Sequence, residues 1–594
     1  MRHLISLLLT IITLFVFGQS SLSKLDKQLQ ELQVATKTVG FSVAIVKGSE
    51  IIYAKGFGYR DLNKNLKADE NTLYAIGSSS KAFTVALLGI MEEEKGLKFT
   101  DSPRKYLPNL EFYNDELNTE VTILDMISHR TGLPRHDFSW YLFPSDSKDS
   151  LIARVKYHEP FTGMREQWYY NNFMYLAQGV ITEKLTGKSW EDNIKERFFK
   201  PLDMSTSNVS IAELETQTNI SKGYALQDFK TSKVMPYYNI AAISPAGSIN
   251  SSVKEMANWV KIWLNEGKYN DRQVLPASFV NKAINPLMLM GNGIQDEKFP
   301  DMHLSSYGYG WMISSYKGHY RLEHGGNIDG FSANVCFFPT DDIGIIVLTN
   351  QNGSALPNLA RNLISDELLE LEKTDWVSYY KERLAKVIEQ TEKAKKDNTS
   401  NKVANTKPSH SLVEYTGKYN HLGYGDFTIT YDNDSLWAQF TRRKTYLFHT
   451  HYDIFKPYFV EGEKVDTTSN LGINFNFKTN DIGDIASVDI KLEPTLEPIS
   501  FNRTPSAVSV GTEKLESYVG VYVLGGAELK VSLKDDNLML FVPGQPEYTM
   551  IATKESEFAI KGLDGYKARF DNKDGKLNLI LLQPNGTFTA TKKD

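Results

Sequence analysis

Tyr74-Ala75-Ile76-Gly77-Ser78-Ser79-Ser80-Lys81-Ala82-Phe83-Thr84 runs straight into the apolar stretch Val85-Ala86-Leu87-Leu88-Gly89-Ile90-Met91. A Ser and a Lys three residues apart in the first turn of a helix project on one side, within reach of each other. A serine hydroxyl is a weak nucleophile until a neighbour takes its proton. A lysine can do so when desolvation or nearby positive charge brings its pKa toward neutral. The N–H of Ser78 would stand at a helix N-terminus, where partial positive charge favours an oxyanion. Taken alone, S-x-x-K also fits a serine-rich N-cap followed by a solvated lysine.

Two later stretches give the first one company. Gln167-Trp168-Tyr169-Tyr170-Asn171-Asn172-Phe173-Met174-Tyr175 leads into a helix-like run through Ile181. His324-Gly325-Gly326-Asn327-Ile328-Asp329-Gly330-Phe331 lies between two strand-like runs. The three read as S-x-x-K, Y-x-N and H-x-G, in that order and well separated. The ordered triple resembles the serine β-lactamase and penicillin-binding-protein superfamily, in its class C β-lactamase-like branch of esterases, D-aminopeptidases and DD-peptidases. Secondary stretches agree: Val121-Thr122-Ile123-Leu124-Asp125-Met126-Ile127-Ser128-His129-Arg130-Thr131-Gly132-Leu133-Pro134, Pro245-Ala246-Gly247-Ser248-Ile249 and Tyr307-Gly308-Tyr309-Gly310-Trp311. The resemblance covers residues 22–372. It implies an α+β fold, a β-lactamase/transpeptidase-like antiparallel sheet flanked by helices.

The chemistry of acyl transfer assigns the roles. Ser78 attacks a carbonyl and becomes the acyl-enzyme; Lys81 takes its proton directly or shares it with Tyr170. A phenol with an ordinary pKa near 10 is a base only beside cations, so Lys81 and Tyr170 are treated as one coupled unit. Asn172 offers an amide donor and a carbonyl acceptor, suited to orienting Lys81 and the substrate, and also suits the N-cap of the next helix. Gly325 and Gly326 in a strand context mark close approach of something to the backbone. The resemblance implies that this strand receives the substrate, with the N–H of Asn327 as second oxyanion donor. True β-lactamases carry K-T-G where this chain has His324-Gly325-Gly326. A histidine is mostly neutral at pH 7, which favours peptidase or esterase work over β-lactam hydrolysis without excluding weak penicillin turnover. No cofactor and no metal are called for.

Periodicity orders the rest. A first helix is expected at Leu25–Leu32, a hairpin at Gly40–Val46 and Ile51–Phe57, and strands at Gly310–Ser315, Tyr320–His324, Ala333–Phe338 and Ile343–Leu348. A helix from Pro357 to Leu371 closes this part. Strands first, helices in the middle and strands last put the cleft between sheet and helices, with specificity assigned to loops near 135–165 and 286–306. Residues 373–410 read as a charged helix dissolving into a linker from Asp397 through Pro408. Beyond it the chain repeats itself: Leu412-Val413-Glu414-Tyr415-Thr416-Gly417-Lys418-Tyr419 is echoed by Leu515-Glu516-Ser517-Tyr518-Val519-Gly520-Val521-Tyr522. Two small all-β modules follow, 411–505 and 512–594. The first resembles the lipocalin-like domains often appended to this hydrolase family, and the second does so more weakly. Neither copy holds a nucleophile and base, so residues 22–372 are expected to keep small-ester chemistry alone. His449 and His451 would share a strand face and could ligate a metal, but a polar face among Tyr446, Phe448 and Tyr452 is the reading preferred for them.

At 594 residues the chain exceeds what one core usually supports. A net charge of −6 gives no reason to invoke nucleic acid. Met1-Arg2-His3 followed by the apolar run Leu4 to Phe17 reads as a signal peptide, 1–18, too short for a comfortable span. A periplasmic or extracellular protein is therefore expected, with no stable membrane span after cleavage. The single cysteine, Cys336, permits no intrachain disulfide and suits a small core residue. The expected function is a secreted serine hydrolase acting on a small peptide, amide or ester. The alternatives are a β-lactamase of weak penicillin activity and a non-catalytic binder of peptide or cell-wall fragments.

Overall fold

A computed structural model describes residues 24–593, apart from 292–297 and positions 300, 303, 401, 463, 471, 564 and 574. The signal segment expected at 1–18 lies outside the described residues. Two compact units form: residues up to Asp137 together with Ser145–Lys395, and Phe138–Pro144 together with Lys396–Asp594.

The first unit is built on a nine-stranded antiparallel sheet. Its order runs Met288–Leu289, Ser305–Tyr307, Met312–Tyr316, His319–Ile328, Phe331–Phe338, Ile343–Thr349, Gly40–Lys47, Glu50–Asp61, Leu66–Lys67. The strands Phe331–Phe338 and Ile343–Thr349 are buried along their whole length, so they are continuous apolar runs rather than alternating ones. Leu25, Leu29 and Leu32 of the N-terminal helix (24–36) pack with Leu356, Leu359 and Ile364 of helix Leu356–Leu368 against Phe41, Val43, Ile45, Phe338, Ile345 and Val347. Helix Val253–Leu264 packs on Gly40–Lys47 and Ile343–Thr349. Cys336 is buried in that core, and burial pushes its thiol up to about 12, a small inert packing group. The α+β order read from periodicity is the order observed. Helix Trp376–Ser400 reaches past Asp397, where the linker was expected to begin.

The second unit holds two antiparallel barrels. In the first, eight strands close between Gly417–His421 and Ile499–Pro505, and a ninth, Lys464–Asn470, pairs outside the ring on Ile454–Glu461. In the second, eight strands from Gly520–Leu524 to Gly586–Lys592 close on each other. Aromatic side chains fill the first interior, among them Tyr415, Tyr419, Phe427, Phe475 and Phe501, as narrow barrels require. The pairing register shifts between His449 and His451. That irregularity breaks the alternation on which their shared face depended, and His449 Nε2 meets the carbonyl of Tyr452 at 2.8 Å instead. Among the described residues no helix is long and apolar enough to cross a membrane.

Candidate active site

Ser78 sits in a single 3₁₀ turn, Gly77–Ser79, that leads directly into helix Ser80–Lys95. The turn is pinned from both sides. Ser80 Oγ donates to the carbonyl of Gly77 at 2.7 Å, and Ser79 Oγ donates to the carbonyl of His324 at 3.0 Å. The second bond ties the turn to the strand His319–Ile328. Contact is so close there that a Cβ at Gly326 would collide with the carbonyl of Ile76, and one at Gly77 would lie 2.9 Å from the Asn327 nitrogen. Gly77 also adopts φ of 51°, which favours glycine. Gly326 is thus required by the turn that carries Ser78, and that approach brings the backbone of Asn327 beside the turn. The Asn327 side chain is occupied elsewhere, accepting from Ser332 Oγ at 2.9 Å and from Gly353 N at 2.6 Å.

Lys81 is fully buried. Its Nζ lies 2.6 Å from Asn172 Oδ1, 2.7 Å from the carbonyl of Ala246 and 3.2 Å from Ser78 Oγ. Two of these neighbours can only accept. A neutral amine therefore gives its two protons to Asn172 and Ala246 and turns its lone pair to the Ser78 hydroxyl. Desolvation, followed by the positive charge of Arg135, holds the Lys81 pKa well below the ordinary lysine range, and Asp137 opposes them. Such an amine can accept a proton from a neighbouring hydroxyl.

Asn172 opens helix Asn172–Thr186, yet it is Asn171 that caps it, accepting from Met174 N–H at 3.1 Å. Because Asn171 takes the cap, Asn172 is left for the site. Its Nδ2 donates to Asp137 Oδ1 at 2.7 Å. Tyr170 lies above Lys81, with Nζ 4.7 Å from its ring centre and the Arg135 guanidinium also 4.7 Å from it. Burial drives the Tyr170 phenol up; the Ser78 hydroxyl and the Arg135 charge pull it down, and burial wins. The Tyr170 hydroxyl makes no well-aligned hydrogen bond among the described residues, so it stands near Ser78 as a protonated phenol. Asp125, four residues before His129, whose ring lies 4.4 Å from that of Tyr170, accepts from Arg130 at 2.7 Å and Arg165 at 2.8 Å. Despite burial, hydrogen bonds from Arg165, Thr122 and Arg130 hold Asp125 at about 2.

His324 is buried rather than open to the cleft. Its Nδ1 faces the carbonyl of Gly325 at 2.6 Å, which can only accept, so the ring proton is there and Nε2 accepts from Tyr307 Oη at 2.9 Å. Desolvation and the charge on Lys81 lower its pKa to about 3. The ring is neutral and offers this wall no positive charge.

The structure therefore gathers Ser78, Lys81, Tyr170 and Asn172 at one place, with Gly325, Gly326 and Asn327 on the facing strand. It adds Ala246, Arg135, Asp137 and Tyr307. Ala246 and Tyr307 lie in stretches whose pattern stood out in the sequence, but a backbone acceptor and a buried phenol leave no residue-type signal. Arg135 and Asp137 directly follow Leu133-Pro134; a charged pair just after a Gly-Leu-Pro turn was the signal available. Among the described residues no group of His, Cys, Asp and Glu could hold a metal ion.

Comparison with known proteins follows the same lines. The model of the family described as Beta-lactamase matches residues 25–369, and that of a domain of unknown function, DUF3471, matches 401–503. Unguisins hydrolase ungD' of Aspergillus campestris is 26% identical over 415 residues, covering 66% of this chain and 75% of that protein. Protein flp of Staphylococcus aureus is 25% identical over 331 residues, 54% of this chain and 62% of that protein. The octameric penicillin-binding protein homologue from Pyrococcus abyssi superposes with a TM-score of 0.54 at 22% identity, covering 81% of this chain and all of that one.

Proposed function

The chain belongs to the beta-lactamase family, and from that premise we propose that it is a serine hydrolase of the class C-like branch, working through an acyl-enzyme on Ser78. The observation that carries this reading is the buried Lys81 amine, saturated by two carbonyl acceptors and aimed with its remaining direction at Ser78 Oγ. In the reaction, Lys81 takes the hydroxyl proton as Ser78 Oγ bonds to the substrate carbonyl. The oxyanion faces the backbone N–H groups of Ser78 and Asn327. Collapse breaks the bond to the amine or alcohol, which leaves with the proton, the Tyr170 phenol standing beside its path. Water then repeats the sequence on the acyl-enzyme.

Small esters, amides or peptides are the proposed substrates. A neutral, buried His324 supplies no fixed cation for the carboxylate of a β-lactam, which places penicillin hydrolysis second. Export to the periplasm or medium is proposed from the charged start and apolar run of residues 1–18.

A fluorophosphonate probe tests the assignment. It is expected to attach to Ser78, and Ser78→Ala is expected to abolish ester turnover. Labelling of another serine with activity intact would sink it. The pH profile tests the base: kcat/KM should rise with pH as the lowered Lys81 amine loses its proton. It should then stay level past the ordinary tyrosine range, near 10, because Tyr170 is shifted upward. A fall in rate between pH 8 and 10 would remove Lys81 and Tyr170 from these roles.

A further inference from the structure

An asparagine amide has two ends of nearly equal shape and opposite hydrogen-bonding sense. At Lys81 the difference is decisive. The Oδ1 end of Asn172 takes an N–H from Lys81 and leaves the amine lone pair for Ser78. The NH₂ end in the same place would donate to that lone pair and silence the base. Something must therefore hold Asn172 one way round. Its Nδ2 donates at 2.7 Å to Asp137 Oδ1, a carboxylate oxygen that can only accept. Turning the amide over would set two acceptors against each other there, and two donors against each other at a protonated Lys81.

We infer that Asp137 is the positioning residue of the proton relay, acting through Asn172 to fix the direction of the Lys81 lone pair. This rests on the reading of Ser78 as nucleophile and Lys81 as its base. The other Asp137 oxygen accepts from Arg135 Nε at 2.6 Å, and that guanidinium lies over the Tyr170 ring. One carboxylate thus holds both arms of the relay, Asn172 with Lys81 and Arg135 with Tyr170. Electrostatics alone does not account for the arrangement. Arg135 lowers and Asp137 raises the Lys81 pKa, so their charges oppose each other, and the ion pair is partly exposed at 53% and 24%. Orientation is the effect that survives this cancellation.

A double-mutant cycle in the full chain tests it, with a p-nitrophenyl ester as substrate. Asp137→Ala is expected to lower kcat roughly 10- to 100-fold, less than the ~10²–10⁴ that general base catalysis supplies, with KM changed less than about threefold. In an Asn172→Ala background the same change should cost less than about threefold, because there is no amide left to orient. Asp137→Asn should recover most of the loss, since its carbonyl can accept from Asn172. The proposal is overturned if Asp137→Ala costs the same factor in both backgrounds, if it leaves kcat untouched, or if Asp137→Asn is as impaired as Asp137→Ala. Should Asp137→Ala unfold, Asp137→Leu keeps the volume without the acceptor, and the same cycle decides. Failure of the underlying reading is seen separately, as turnover persisting in Ser78→Ala.

Discussion

The two barrels open with the same pattern and are completed differently. In each, the second tyrosine of Leu-x-x-Tyr-x-Gly-x-Tyr donates its hydroxyl back to the carbonyl of the first: Tyr419 to Tyr415 at 2.8 Å, Tyr522 to Tyr518 at 2.7 Å. The second barrel draws its buried core wholly from residues between Leu515 and Ala590. The first buries Leu142 and Phe143 as well, from the short segment Phe138–Pro144. The Phe143 ring lies 5.6 Å from those of Phe440 and Phe501, and Ser139 Oγ donates to the carbonyl of Gly423 at 2.7 Å. The repeat records what the barrels share. The guest segment, which begins at the residue after Asp137, records what only one of them does.

Truncation should separate them most strongly. A chain ending at residue 506 loses only the second barrel, which contributes no residue to the site described, and is expected to keep small-ester turnover within about threefold. A chain ending at 410 leaves Leu142 and Phe143 without the core that buries them. Next to Asp137, that disturbance is expected to lower turnover ~100-fold or more, the scale on which a misplacement of about 1 Å acts. This departs from the expectation that residues 22–372 suffice. Specific activity with active-site titration measures it, and equal activity in the two truncated chains would show that the guest segment holds nothing the site needs.

A single side chain should give a smaller version of the same contrast. Phe143 is 3% exposed, and Phe143→Ala is expected to cost about 3–5 kcal/mol through lost transfer energy and the cavity left behind. Hydrogen exchange should report faster opening of strands between 417 and 505 with those between 520 and 592 unchanged. Leu529→Ala, in the second core, should reverse the pattern. Both variants loosening both barrels alike would mean that they unfold as one body.

What the sequence shows and hides divides along the same line. S-x-x-K, Y-x-N and the tyrosine repeat are short-range patterns, and helix and strand periods carry them into space. Ser78 and Lys81 share a helix start because they are three residues apart. Asp137 meets Asn172 from 35 residues away across short helices and loops, and Phe143 meets Phe427 from nearly 300. No period relates such pairs, so neither was legible. The sequence puts His324 on the strand expected to receive substrate, while its burial depends on Tyr307, placed by a different strand. Asn171 rather than Asn172 caps its helix, a choice between identical neighbours that composition does not decide.

The smallest effect tests whether the shared pattern is energetically shared. Tyr419→Phe and Tyr522→Phe each delete one hydroxyl from a fully buried side chain. Each is expected to cost about 0.5–1.5 kcal/mol, with the carbonyl of Tyr415 or Tyr518 left one donor short. The sign of the pH dependence follows from the folded-state shifts. Desolvation comes first in raising both phenols above 10, with the Arg503 charge opposing it at Tyr419 and the Tyr518 charge adding to it at Tyr522. Their contribution is therefore fully present below the unfolded tyrosine value near 10 and is lost as pH climbs above it. Urea unfolding at pH 7 should thus show the cost, and unfolding above pH 10 should show each variant closing the gap to the parent. Equal costs make the back-turned tyrosine a property of the repeat. A cost at Tyr419 several times that at Tyr522 would mean that the guest segment tightens the first barrel around it, and the likeness between the barrels would end at the sequence.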